Sequence, residues 1–292
     1  MAETSGMGLI RGIDIEKLAK GFADEQNVFK TFVTNSTTSA REIRWYQKTS
    51  GFLDSTDTSA ITASQISNTS FRSRPVVVEQ SWTRQTSYIK KYFVESPLIS
   101  IEDINDCDID ILATNVRDLV RAVERQVDER IIQVITEAYT PATIQTVGAT
   151  DTWATTATCN PILDLLKAKQ MIRAYGYDPE GAVVAMNSVE HKDLLNFLIS
   201  VKGSSIPSFA AQKVESGVVM ELLGLRVVVS ENVATTFGLV FVPQRAATWK
   251  SFMGMTSVVI QDQGIGSKIR CWEEGECLLT DPKAVVLITG TE

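Results

Sequence analysis

Few side chains in this sequence combine the type and spacing that chemistry demands. His191 is the sole histidine and falls at the start of an expected helix, beside Glu190 and Asp193. A histidine acting as general base needs a serine or cysteine motif directed at it, and none is present. It therefore reads as a surface or interface residue. Cys271 and Cys277 fall on an expected hairpin around Glu273–Gly275; with no further Cys or His nearby they lack a metal donor set and read as packing. Gly6, Gly8 and Gly12 miss the dinucleotide spacing and follow no strand. The run Gly264-Ile265-Gly266-Ser267-Lys268 departs from the phosphate-loop order and reads as a turn. Glu273 and Glu274 could mimic a catalytic pair, but neighbouring strand residues face opposite ways. Trp45, Trp82, Trp153, Trp249 and Trp272 read as core or interface residues, because no basic stripe interleaves them as in a base-stacking platform. No catalytic, cofactor-binding or metal-ligating residue is assigned.

The bulk properties narrow the class. The 292 residues suffice for one large or two modest domains. A net charge of −7 argues against a dedicated nucleic-acid binder. No apolar run approaches the ~20 residues of a membrane span, and the first residues lack a secretory signal pattern. The chain reads as a soluble product of a cytoplasm, with Cys107, Cys159, Cys271 and Cys277 as reduced thiols.

The dominant element is the stretch 106–138. Ile109, Leu112, Val116, Leu119, Val120, Val123, Val127, Ile131, Val134 and Ile135 recur at three- and four-residue steps, which places them on one helical stripe. Asp106, Asp108 and Asp110 suit the positive end of a helix dipole. Arg117, Arg121 and Arg125 repeat at i, i+4 among Asp118, Glu124, Asp128 and Glu129. A rod of ~45 Å follows from ~1.5 Å rise per residue. It has one apolar stripe and a charged back, and so needs a sheet laid on it.

Around this rod the chain alternates. Residues 1–30 read as an arm carrying a short amphipathic helix (Ile15, Leu18, Ala19, Phe22) that must dock to be stable. A strand at Arg41–Gln47 precedes a Ser/Thr-crowded segment, 48–74, whose large apolar residues are Phe52, Leu53, Ile61, Ile66 and Phe71. Such a long connection is rare in a compact domain, and its composition suits a two-stranded excursion. One long strand, with Val76, Val78, Trp82, Tyr88, Tyr92 and Val94 on one parity, returns the chain to Pro97; Ser100 and Asp103 resemble a helix-capping pair. A Thr/Ala-rich connection occupies 139–160.

Asn160-Pro161 then opens a helix with Ile162, Leu165, Leu166 and Ile172 on one face and Lys169 at its edge, its charge in water. Gly181–Met186 reads as a strand, Asn187-Ser188 starts a helix through Leu194, Leu195 and Leu198, and Lys202–Gly217 reads as a loop. Leu222–Ser230 and Gly238–Val242 are expected buried strands. Ser257–Gln261, Ser267–Cys277 and Ala284–Gly290 close the chain as strands expected to form the sheet against the rod.

Charge divides unevenly. Residues 30–95 hold nine Lys and Arg against five Asp and Glu, whereas 101–139 hold four Arg against ten Asp and Glu. A basic arm and an acidic rod attract either across a subunit boundary or within one chain.

The order of arm, strand, long loop, strand, spine helix, α/β insertion and closing strands resembles the Hong Kong 97-like major capsid proteins of tailed bacteriophages. Val94–Ile132 is similar to that family's entry into its spine helix. Leu222–Val233 (LLGLRVVVSENV) resembles a strand of its second domain, and Asn187–Phe197 the helix after the strand ending at Met186. The resemblance implies an α+β fold with a long spine helix, an extended loop, and peripheral and axial domains. Carried onto this numbering, 1–30 is the N-terminal arm and 48–74 the extended loop. Residues 31–47, 75–159 and 255–292 form the peripheral domain with spine helix 106–138, and 160–254 the axial domain.

It further implies a structural, non-enzymatic protein without cofactors. Such a protein assembles into hexamers and pentamers of an icosahedral virion shell, built in the host cytoplasm around double-stranded DNA held by confinement. Portal, scaffolding and cement proteins are the implied partners, and no membrane is involved. No long charged coiled coil precedes the arm, so scaffolding falls to another protein or to a processed segment. One branch of the family joins loop Lys to Asn covalently; this loop has Lys48 only at its base, which argues against such cross-links. Phe52, Leu53, Ile61, Ile66, Phe71, Arg72 and Arg74 are the candidate inter-subunit contacts. Two other readings remain: an encapsulin-type nanocompartment shell of the same fold, and an unidentified α/β enzyme.

Overall fold

The computed structural model describes residues 29–50, 71–74, 81–100, 110–200 and 221–292. The arm helix, Phe52, Leu53, Ile61, Ile66, the residues from Val76 to Gln80, the cap residue Asp103, the first residues of the spine and the loop 202–217 lie outside the described residues.

In chain order the elements are β1 (Thr34–Thr37), β2 (Glu42–Ser50), β3 (Ser81–Tyr88), β4 (Lys90–Glu95), β5 (Ile99–Ser100), α1 (Asp110–Ile135), β6 (Gln145–Gly148), α2 (Pro161–Ala174), β7 (Val183–Met186), α3 (Ser188–Ser200), β8 (Glu221–Leu222), β9 (Leu225–Val229), β10 (Phe237–Phe241), β11 (Ala247–Asp262), β12 (Gly266–Leu279) and β13 (Val285–Thr289). The fold is α+β. The chain divides into two compact units, one of residues 1–43, 87–131 and 249–278, the other of 44–86, 132–248 and 279–292.

In the first unit, one sheet runs β1-β11-β12-β4, with β5 also paired to β12. Its inner face packs on α1. Val116, Val120 and Val123, spaced as the periodicity requires, meet Ile269, Cys271 and Ile99, with Tyr92, Val94, Met255 and Val259 around them. Each fully buried valine of this seam contributes roughly 1.5–3 kcal/mol. The register Cys271↔Val94, Trp272↔Phe93, Glu273↔Tyr92 and Glu274↔Lys91 turns Trp272, Glu274, Phe93 and Lys91 to the opposite face. At Gly275 the sheet comes against the indole of Trp249, leaving no room for a Cβ.

In the second unit, six strands lie in the order β6-β13-β10-β7-β9-β8. β13–β6 and β7–β9 are parallel, and β10 is antiparallel to both of its neighbours. Every residue of Val183–Met186 is buried, as expected of a central strand covered on both faces. Leu165, Ala168 and Ile172 of α2 and Leu194 and Leu198 of α3 pack with Val184, Met186, Val240, Val286, Ile288 and Trp153. Asn160 caps α2 by accepting from the Leu163 N–H at 3.2 Å, with Pro161 in the first turn. Asp164, wholly buried, accepts from the Thr150 N–H at 3.0 Å, the Thr150 hydroxyl at 2.5 Å and the Trp153 indole at 3.2 Å.

Several expectations are corrected. The single strand after Pro75 is two: β3 pairs with β2, whereas β4 pairs with β12. Leu222–Ser230 is not one strand, because Leu223 and Gly224 take positive φ and fold β8 back on β9. Cys271 and Cys277 share the single strand β12 rather than flanking a hairpin. Leu166 is exposed. Lys169 does not hold its charge in water, since its ammonium donates to the Leu223 carbonyl at 2.8 Å and pairs with Glu180 at 2.8 Å. The Thr/Ala connection contains the strand β6. The last closing strand, β13, lies between β6 and β10 in the six-stranded sheet and not in the sheet against α1.

The spine itself ends early. α1 stops at Ile135, and Glu137, Ala138 and Tyr139 follow with φ of 49°, 53° and 63°. Non-glycine residues each lose about 1–2 kcal/mol in this left-handed region. The Glu137 carboxylate holds the turn by accepting from the Thr143 N–H at 2.8 Å and from the Ala142 N–H and Thr143 hydroxyl. Tyr139 stacks on Phe237 at 4.5 Å and accepts from the Ala234 N–H at 2.9 Å.

Candidate functional site

The ionisable groups of the described residues are poorly placed for chemistry. Burial pushes the Cys271 thiol up to about 11 and raises Cys277 and Cys159 as well. All three stay protonated at neutral pH and are poor nucleophiles. His191 sits half-buried in the first turns of α3, and burial lowers its ring below the ordinary value. Its Nε2 bonds to nothing. Among the described residues no group of three or more His, Cys, Asp and Glu is placed to hold a metal ion. No described helix is long and apolar enough to cross a membrane.

Several buried charges instead form structural pairs. Glu276 of β12 accepts from Arg130 of α1 at 2.9 Å and 2.5 Å and faces Lys90 at 3.8 Å. Glu273, pointing to the same side as Cys271, pairs with Lys30, whose ammonium also lies over the Trp249 ring at 5.6 Å. Phe29, fully buried, donates its N–H to Asp128 at 3.4 Å. These contacts pin the start of the described chain onto α1 and β12. Removing one partner leaves a buried charge uncompensated, so the pairs fix register more than they add stability. Lys30 and Lys90 are thus neutralised within the chain by carboxylates of β12 and not by the acidic residues of α1.

Surfaces rather than clefts carry the exposed apolar residues. Phe71 is fully exposed, and Arg72 and Arg74 are exposed beside it. These three are the described members of the inter-subunit candidates, at the point where the long loop rejoins the body. The β2–β3 ribbon at the loop's base is anchored by Trp45 and Gln47, which donate to the Leu279 carbonyl at 3.0 Å and 2.6 Å. It presents Tyr46 and Trp82 to solvent.

A second exposed group was not anticipated. On the outer face of the first unit's sheet, Phe93 and Trp272 pair at 6.4 Å, with Met253 against the Trp272 indole at 3.1 Å. Lys91 lies over both rings at 5.3 Å and 5.1 Å and pairs with Glu274 at 3.5 Å. The sequence signal was the alternation Arg270, Trp272, Glu274 within the expected strand Ser267–Cys277.

Comparison with known proteins identifies the family. A family model described as phage capsid protein matches residues 98–288. No curated protein sequence matches the chain. The capsid of the cyanophage P-SCSP1u superposes with a TM-score of 0.66 at 14% identity, covering 90% of this chain and 88% of that one. The capsid of a native GTA particle gives 0.64 at 12% identity, covering 91% of each. A virus-like particle from Pyrococcus furiosus gives 0.61 at 10% identity, covering 93% and 96%. The fold is the Hong Kong 97-like capsid fold, and the protein is structural rather than enzymatic. A match over residues 98–288, spanning α1, the six-stranded sheet and most of the closing strands, establishes that the chain belongs to the phage capsid protein family.

Proposed function

We propose that this chain is the repeating subunit of a closed icosahedral virion shell, assembled as hexamers and pentamers in the host cytoplasm around double-stranded DNA. Segment 48–74 lies across a neighbouring subunit, residues 1–30 act as an arm, the unit holding α1 occupies the periphery of each capsomer, and the unit holding the six-stranded sheet its axis. The observation that carries the loop's role is Phe71, a large aromatic left wholly in water with Arg72 and Arg74 at the loop's return. Ordering a long Ser/Thr-rich segment costs conformational entropy that its few apolar residues offset only against a partner surface. A neighbouring copy supplies that surface by symmetry. A net charge of −7 per copy keeps the genome confined without adhesion. Portal, scaffolding and cement proteins complete the particle.

Deleting residues 49–70 tests the reading. Soluble, folded subunits that no longer form particles by electron microscopy are expected. Normal shells from the deletion overturn the loop's role.

A further inference from the structure

The turn after α1 combines features that seldom occur together. Its residues, Glu-Ala-Tyr, carry the apolar and polar pattern that extends the helix to Ala138 in sequence, and contain no Gly or Asn to favour positive φ. Yet all three are left-handed. The right-handed helix closes its last bond at Thr136, whose N–H and hydroxyl both bond to the Ile132 carbonyl, at 2.9 Å and 2.7 Å. Beyond it the chain reverses hand, with the Tyr139 N–H bonded to the Thr136 carbonyl at 2.9 Å. The turn closes on itself through that bond and through the Thr140 N–H and hydroxyl on the Glu137 carbonyl, at 3.3 Å and 3.2 Å, and two side chains hold it from outside. One is the Glu137 carboxylate, capping the Ala142 and Thr143 amides and the Thr143 hydroxyl. The other is Tyr139, stacked on Phe237 and bonded to Ala234. Local preference and tertiary restraint therefore oppose one another at this point, as in bistable elements.

We propose that residues 136–143 form a two-state joint, in which a left-handed turn latched by Glu137 and Tyr139 alternates with continuation of α1 through Ala138. In the latched state the chain leaves the helix sharply towards β6. In the released state Glu137 lets go of Ala142 and Thr143, the Glu137, Ala138 and Tyr139 amides bond back to the Gln133, Val134 and Ile135 carbonyls, and the exit direction changes. A subunit that must occupy non-equivalent positions in one assembly has a use for such a joint. The proposal does not depend on assembly, however, and is tested on the unassembled full-length chain.

The test uses amide hydrogen exchange and backbone chemical shifts on three chains: the wild type, Glu137→Gln, and Ala138→Gly. Glu137→Gln weakens the latch; exchange at Ala142 and Thr143 is expected to accelerate at least tenfold, while the 136–139 carbon shifts move to helical values. Ala138→Gly removes the penalty of the left-handed state without touching the latch. It is expected to slow exchange at Ala142 and Thr143 several-fold and, in the double variant, to reverse most of the Glu137→Gln effect. Acceleration without helical shifts at 136–139 overturns the second state, leaving Glu137 as a static cap. An unchanged or faster exchange in Ala138→Gly overturns the claim that the turn opposes its local preference. Because the glycine variant is expected to be the more stable, the test survives if Glu137→Gln fails to fold.

Discussion

Glu190 shows how far one side chain departs from its ordinary behaviour when nothing compensates its charge. It lies in the first turn of α3 and is 1% exposed. Oε1 receives the Thr291 hydroxyl at 3.3 Å, and Oε2 bonds to nothing. The charges near it, Glu292 and Asp193, are also negative, and Lys192 is spent on Asp193 at 3.2 Å. Burial first, then these carboxylates, push Glu190 from 4.5 up to about 7. The folded state therefore holds this proton more tightly than the unfolded chain. The resulting stability is complete below the unfolded value and is lost as pH rises through about 7. Glu190→Gln should remove that fall. Between pH 5 and 8, urea unfolding of wild-type subunits is expected to lose roughly 2–3 kcal/mol more than that of the variant. Parallel pH profiles would show the carboxylate to be solvated. A steric counterpart is Gly275, where a methyl group meets the Trp249 indole, the ring carbon Cε2 lying 2.7 Å away. Gly275→Ala should cost about 1–3 kcal/mol in the same assay, with loss of native tryptophan fluorescence if the indole is displaced.

At the scale of elements, local rules were legible wherever one residue acts on its own turn. Asn160 accepts from Leu163 as its type and position imply. Asn160→Ala is accordingly expected to lower stability by about 1 kcal/mol without changing the fold, and a change under ~0.3 kcal/mol would assign the cap no role. The spine was legible for the same reason, since Val116, Val120, Val123 and Val127 repeat at the helical period and are all buried. What escaped depends on distant partners. β3 and β4 read as one strand because the parity of Trp82, Tyr88, Tyr92 and Val94 is unbroken. Only the bond from the Ile89 N–H to the Arg41 carbonyl, and the separate pairings of the two strands, divide them. Likewise, nothing within Glu137-Ala138-Tyr139 signals a reversal of hand, which is imposed by Thr143, Ala234 and Phe237. The β8–β9 hairpin did have a local mark in Gly224, at φ 73°, but the surrounding leucines and valines masked it. Of the candidate contacts, Phe71, Arg72 and Arg74 are exposed.

At the scale of the whole molecule, charge and exposed surface decide how copies meet. Copies of net charge −7 repel one another, so assembly needs local complementarity to overcome a long-range penalty. Part of the basic charge of 30–95 is already used inside the chain, by Lys30 on Glu273 and Lys90 on Glu276. Arg72 and Arg74 are exposed beside Phe71, and under the proposed function they would meet a neighbour's acidic surface. Reversing both, Arg72→Glu with Arg74→Glu, should leave the subunit's unfolding unchanged, because exposed charges contribute little to folding. The minimum concentration for assembly should rise about tenfold at low salt, where the screening length is ~30 Å, and much less at 1 M salt, where it is ~3 Å. Light scattering across a salt series reads both effects at once. Phe71→Ala, by contrast, removes apolar area and should raise the threshold equally at every ionic strength. If the double reversal behaves like the alanine variant, the arginines act by shape rather than charge. If neither substitution moves the threshold, the loop's return is not a contact between copies.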